Sequence, residues 1–74
     1  MDDLAIPEYQ RLIREYPDDP QLDLALFRLA ESFRRAGRAA QAEFFYRRLA
    51  RDFPKSPHRA RAELRLGDLL DEAG

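Results

Sequence analysis

Tyr16-Pro17-Asp18-Asp19-Pro20 returns along the chain as Phe53-Pro54-Lys55-Ser56-Pro57, each residue 37 positions on. An aromatic-Pro-x-x-Pro tract of this kind stops one helix and starts the next. Pro17 and Pro54 cannot donate to a helical ladder, and they push Tyr16 and Phe53 out of helical geometry. Asp19 and Ser56 are N-cap residue types. Pro20 and Pro57 then take the first helical position, where the missing N–H has no partner to lose.

The same 37-residue shift carries the rest of the chain. Aligning residues 1–37 with 38–74 gives twelve identities, among them Ala5/Ala42, Tyr9/Tyr46, Leu12/Leu49, Ala25/Ala62, Arg28/Arg65, Leu29/Leu66 and Gly37/Gly74. This is a duplicated helical unit. Gly37 stands where a left-handed C-terminal cap is wanted. Helices are expected at about residues 4–16, 20–36, 39–53 and 57–72, with Pro7 in the first turn of the first. Apolar residues recur at i, i+3 and i+4. The stripes are Ala5-Tyr9-Leu12-Ile13-Tyr16, Leu22-Ala25-Leu26-Leu29-Ala30-Phe33, Ala42-Phe45-Tyr46-Leu49-Phe53 and Ala62-Leu66-Leu69-Leu70. Alternation of period two is absent, and the short links imply antiparallel neighbours. The fold class is all-α, a single four-helix domain over residues 1–74.

Seventy-four residues bury little surface, so packing against another copy or a partner is expected. Without cysteine there is neither a disulfide framework nor a thiolate metal site. No apolar run reaches the ~20 residues of a membrane span, and Met1-Asp2-Asp3 is unlike a secretion signal. The chain is expected to be soluble. The formal net charge of −1 divides into an acidic start, a basic middle over residues 28–65 and an acidic tail. Twelve of the thirteen basic residues are arginine, which suits bidentate ion pairs and stacking on rings.

From Ala25 to Pro54 these residues resemble one complete tetratricopeptide repeat. Leu29-Ala30 stands at the motif's Leu-Gly, Phe33 at its Tyr and Gly37 at its turn glycine. Ala42, Tyr46 and Leu49 match its second helix, and Pro54 its closing proline. Ala62, Leu66-Gly67 and Gly74 begin a further unit, and Ala5, Tyr9, Leu12 and Pro17 end a preceding one. The resemblance therefore implies a fragment of an α-α solenoid whose helices run in B-A-B-A phase. The lengthened turn is similar to that of bacterial cell-envelope members, such as the Tol-Pal coordinator and the outer-membrane assembly lipoprotein. The chain is expected to be cytoplasmic if complete and, on that likeness, periplasmic if excised from an exported parent.

The phase has a consequence for assembly. The fourth helix lacks the helix that normally follows it, and Leu64, Leu66, Leu69 and Leu70 cannot all be covered by the third. These four, with the outward Phe44, are the expected self-association residues. A head-to-tail contact is geometrically natural, and a two-fold homodimer is preferred as the simpler closed form.

No catalytic constellation, phosphate loop or metal-ligand spacing is present, so no enzyme and no cofactor is expected. The lone His58 sits beside Arg59 and Arg61 and is expected as an exposed first-turn residue. Nucleic acid is not an expected partner, given a pI of 5.8, acidic ends and no recognised motif. In the resembled family the concave face of the first-type helices binds a protein or peptide. Here that face comprises Leu24, Phe27, Arg28, Glu31, Arg34 and Arg35 of the second helix, with Arg61, Leu64, Arg65 and Asp68 of the fourth. Arg61 and Arg65, one turn apart, stand at the two basic positions of carboxylate-clamp members, whereas the clamp's asparagines are replaced by Phe27, Arg28 and Glu31. The leading expectation is a protein-interaction scaffold. The alternative is a structural module that assembles only with itself.

Overall fold

The computed structural model describes residues 2–73, and side chains over residues 6–71. Expectations resting on the side chains of Asp2, Asp3, Ala5 and Glu72, or on Gly74, lie outside the described residues. Four helices run in chain order: α1 (Asp2–Glu15), α2 (Leu22–Arg35), α3 (Ala39–Asp52) and α4 (Arg59–Ala73). No strand occurs among the described residues, and the main contacts join α1 to α2, α2 to α3 and α3 to α4. No described helix is long and apolar enough to cross a membrane.

The duplication is written into the backbone. Tyr16 N–H donates to the Leu12 carbonyl at 2.8 Å, and Phe53 N–H to Leu49 at 2.9 Å. Asp19 N–H then donates to Tyr16 and Leu22 N–H to Asp19, while Ser56 N–H donates to Phe53 and Arg59 N–H to Ser56. Side chains follow the same register. Asp19 Oδ1 accepts from Gln21 N–H at 2.7 Å, and Ser56 Oγ accepts from His58 N–H at 3.1 Å. These i→i+3 turns delay α2 and α4 by two residues beyond the expected starts at 20 and 57. Asp19 and Ser56 cap the turn rather than the α-helix itself. At the other end of α2, Gly37 has φ 79°, and Arg38 N–H reaches back to Phe33 while Gly37 N–H reaches Arg34. This paired Schellman closure needs the left-handed residue that Gly supplies without strain.

The core is centred on the α2–α3 seam. Leu26, Leu29, Tyr46 and Leu49 are its largest fully buried side chains, and Phe33 stacks on Phe45 with ring centroids 5.7 Å apart. Each buried leucine contributes roughly 1.5–3 kcal/mol over leaving it in water. Ile6 and Ile13 close the core from α1, and Ala62 and Leu69 from α4.

Four expectations are corrected. Tyr16 is exposed although Phe53, its image in the repeat, is half-buried, because among the described residues α1 packs mainly on α2 alone, whereas α3 lies between α2 and α4. Ile6, outside the expected stripe, is buried. Leu69, expected among the self-association residues, is buried, while its stripe neighbour Leu70 is exposed, since no helix follows α4 among the described residues. Pro7 lies inside α1 rather than in its first turn, where it removes one N–H from the ladder.

Candidate functional site

On α2 the residues Phe27, Arg28, Glu31 and Arg35 fall at helical spacing along one side, and Arg61 and Arg65 do so on α4. With Tyr9 and Ser32 they line an open groove of about 450 Å³. Phe27 is buried beneath it. Its ring lies 5.9 Å from that of Tyr46 and 5.9 Å from that of His58, the latter nearly parallel at 24°. The guanidinium carbon of Arg61 sits 5.9 Å from the centroid of the same ring, within range of a cation–π contact. His58 is thus half-buried and stacked, not the exposed residue the sequence suggested. A near-parallel ring gives it a place that its charged neighbours in the chain do not disclose.

Glu31 is the buried charge of the groove. Its Oε1 accepts from the Tyr46 hydroxyl and from Arg65 Nε at 2.9 Å, and its Oε2 from Arg34 at 3.2 Å. Burial pushes this carboxyl up, but the Tyr46 hydroxyl and the Arg34 and Arg65 guanidinium groups outweigh it and hold the group below its ordinary value. The Tyr46 hydroxyl is driven well above the usual tyrosine range by burial first and by the Glu31 carboxylate second. Arg34 is raised by its bond to Glu31, while its Nε is buried without a partner.

The arrangement sorts the expected site residues. Phe27, Arg28, Glu31, Arg35, Arg61 and Arg65 come together around the groove. Arg34 is turned under the surface to hold Glu31, and Asp68 lies 3.8 Å from Arg65 beside the groove. Leu24 lines an adjoining cavity at the α1–α2 end that shares Tyr9 and Arg28 with the groove, and Leu64 is exposed. Of the expected association residues, Leu64, Leu70 and Phe44 are exposed, Leu66 is half-buried and Leu69 is buried against the core. Leu69 therefore contributes packing inside the molecule, since it faces α3. Tyr9, Ser32 and Tyr46 were not anticipated around the groove. The recurrence of Tyr9 as Tyr46 is the signal that marks the two tyrosines.

Phe44 stands apart on α3, edge-on to Phe45 at 5.0 Å and beside Arg47, Arg48 and Arg51. Arg47 pairs with Glu43, and Arg48 and Arg51 with Asp52, all on the surface where such pairs add little.

The chemistry of the groove is recognition by charge and ring face. Arg28 and Arg61 have no carboxylate within pairing distance among the described residues. Arg65 spends its Nε on Glu31 but keeps further N–H groups. Guanidinium groups so placed suit carboxylates presented by an extended or helical segment.

The family model for the tetratricopeptide repeat matches residues 24–56, which span α2, the Gly37 turn, α3 and the Pro54 turn. No curated protein and no solved structure matches the chain. Over the matched segment the chain is similar to a repeat that generally mediates protein–protein interaction. The four helices agree with a fragment of that all-α architecture.

Proposed function

We propose that this chain is a non-catalytic protein-interaction scaffold whose groove takes a peptide with acidic and apolar anchors. The observation that carries the reading is the set of four guanidinium groups, Arg28, Arg35, Arg61 and Arg65, around a groove floored by Phe27. Two of them, Arg28 and Arg61, have no carboxylate within pairing distance among the described residues, so an incoming acid need not displace an existing pair there. Glu31 already neutralises part of Arg65, so Arg61 and Arg28 are the anchors for the ligand and Arg65 a secondary one. The aromatic-Pro-x-x-Pro turns keep the likeness to bacterial envelope scaffolds as a reading of turn sequence alone.

The test is fluorescence anisotropy with a labelled peptide of alternating glutamate and leucine, at dilute protein. Binding should weaken with salt, and Arg61→Glu should reduce affinity about tenfold or more, as for a charged anchor at an interface centre. A lysine-leucine peptide bound as tightly as the glutamate-leucine one would overturn the reading.

A second reading, self-association, is favoured by Leu64 and Leu70, large apolar side chains open to solvent on α4.

A further inference from the structure

The 37-residue register relates the two ends of the molecule. Leu64 stands at the image of Phe27 and Leu70 at the image of Phe33. Phe27 and Phe33 are 7% and 3% exposed, whereas Leu64 and Leu70 are 63% and 60% exposed. The difference is what lies on top: α3 and the start of α4 cover the two phenylalanines.

Phe27 fills a socket made by Tyr46, His58 and Arg61, each 5.9 Å from its ring. The residues 37 positions before those three are Tyr9, Gln21 and Leu24. All three line the cavity of about 300 Å³ at the α1–α2 end, together with Leu12, Asp19 and Arg28. That cavity stands at the equivalent place in the repeat, with the tyrosine kept and His58 and Arg61 replaced by Gln21 and Leu24. The knob that fits it in register is Leu64, at the far end of the same chain.

The polar layer repeats in the same way. Glu31 receives Tyr46 and Arg65. Its image is Asp68, and the images of Tyr46 and Arg65 are Tyr9 and Arg28. Arg28 is exposed with no ion-pair partner among the described residues. An acid on one end face and an unpaired guanidinium on the other are complementary.

We infer that the α4 face of one molecule docks head to tail on the α1–α2 face of a second copy. Leu64 enters the cavity beside Tyr9 and Leu24 of that copy, and Asp68 meets its Tyr9 and Arg28. This rests on the self-association reading and assigns its partner and geometry. A two-fold pairing through α4 uses neither the cavity nor Arg28. Such a junction is heterologous, and each added copy presents the same open α4 face again. It is also weaker than the internal seam. Phe45 and Asp23 are replaced across it by Glu8 and Ala60, which lose a ring stack and the bond from the turn serine, while Arg34, which braces Glu31 within α2, is replaced by Asp71 beside Asp68.

The test is the mass in solution of the full chain, by light scattering from roughly 10 µM to 1 mM, a range suited to a weak junction. The mean mass should climb past a dimer without a plateau. Leu64→Arg and Arg28→Asp alter exposed positions and should keep the helical circular dichroism. Each alone should weaken association about tenfold or more. Mixed in equal amounts they should give a one-to-one dimer that grows no further, since each supplies the face the other lacks. A dimer that Arg28→Asp leaves intact would overturn the head-to-tail geometry while leaving self-association standing. A monomer at the highest concentration would overturn both.

Discussion

Tyr46 donates its hydroxyl proton to Glu31 across the α2–α3 seam, and Arg65 of α4 donates to the same carboxylate oxygen. One buried acid thereby ties three helices. Removing one donor leaves the acid under-satisfied, so Tyr46→Phe is expected to cost about 1–3 kcal/mol in urea unfolding.

The two groups also set the pH dependence. The folded Glu31 carboxyl lies below its ordinary value, so its stabilisation is complete above about 4.3 and is lost as pH falls through the folded value. Tyr46 lies above its ordinary value, so its contribution is complete below about 10 and is lost as pH rises beyond that. The urea midpoint should therefore fall on both the acid and the alkaline side. Glu31→Gln should shrink the acid arm without abolishing it. Asp52 is also lowered, chiefly by its bond to Arg51, and remains. Tyr46→Phe should remove most of the alkaline arm.

Leu49 and Leu64 separate the core from the end face. Leu49 is fully buried, and Leu49→Ala should cost roughly 2–5 kcal/mol, a large share of the stability of so small a domain. Leu64→Ala, measured in dilute monomer, should lie within about 0.5 kcal/mol of the parent. Equal losses at the two positions would contradict the burial assigned to them.

Two glycines should respond with opposite sign. Gly37→Ala forces a Cβ into left-handed backbone at φ 79° and should cost about 1–2 kcal/mol. Gly67 lies inside α4, and a Cβ built there meets nothing within 4 Å. Gly67→Ala should raise stability by about 0.5–1 kcal/mol through helix propensity alone. Thermal melts of the pair check both.

Ser56 and Asp19 hold equivalent turns with unequal reach. The Ser56 side chain accepts from His58 N–H and donates to Asp23 on α2, whereas among the described residues the Asp19 side chain accepts from Gln21 N–H only. Ser56→Ala should therefore destabilise by about 1–2 kcal/mol, and Asp19→Ala by about half as much. Chemical denaturation of the two variants decides it.

Much of the fold is legible in the sequence, and the boundary of what is legible is a physical one. Pro17, Pro54 and Gly37 act on their own backbone, so the turns declare themselves locally. The stripes of α2 and α3 do so through periodicity. Glu31 does not, since its burial depends on Tyr46 and on Arg65, remote in sequence and near only after folding. Tyr16 and Phe53 share a register yet differ in exposure, because burial depends on what lies outside the repeat. Leu64 and Phe27 differ for the same reason. For the groove, the likeness to the repeat named Arg28, Arg35, Arg61 and Arg65, which come together, and also Arg34, which is turned under the surface to Glu31. It missed Tyr9, which comes from a helix of the other type, and His58, whose ring plane no spacing predicts.

Each helix makes its main contacts with its neighbour in the chain, which bears on how the molecule comes apart. Contacts between near segments need little loop closure, so formation should be fast, in the microsecond-to-millisecond range typical of local topologies. Among the described residues the main contacts do not join α1 to α4, so opening is expected to begin at the rims. Amide hydrogens of α1 and α4 should exchange first, through fraying, and those of α2 and α3 around Leu29 and Leu49 last. The outer helices are thus the most readily remodelled part of the chain, and the inner pair acts as the hinge-free block from which they peel.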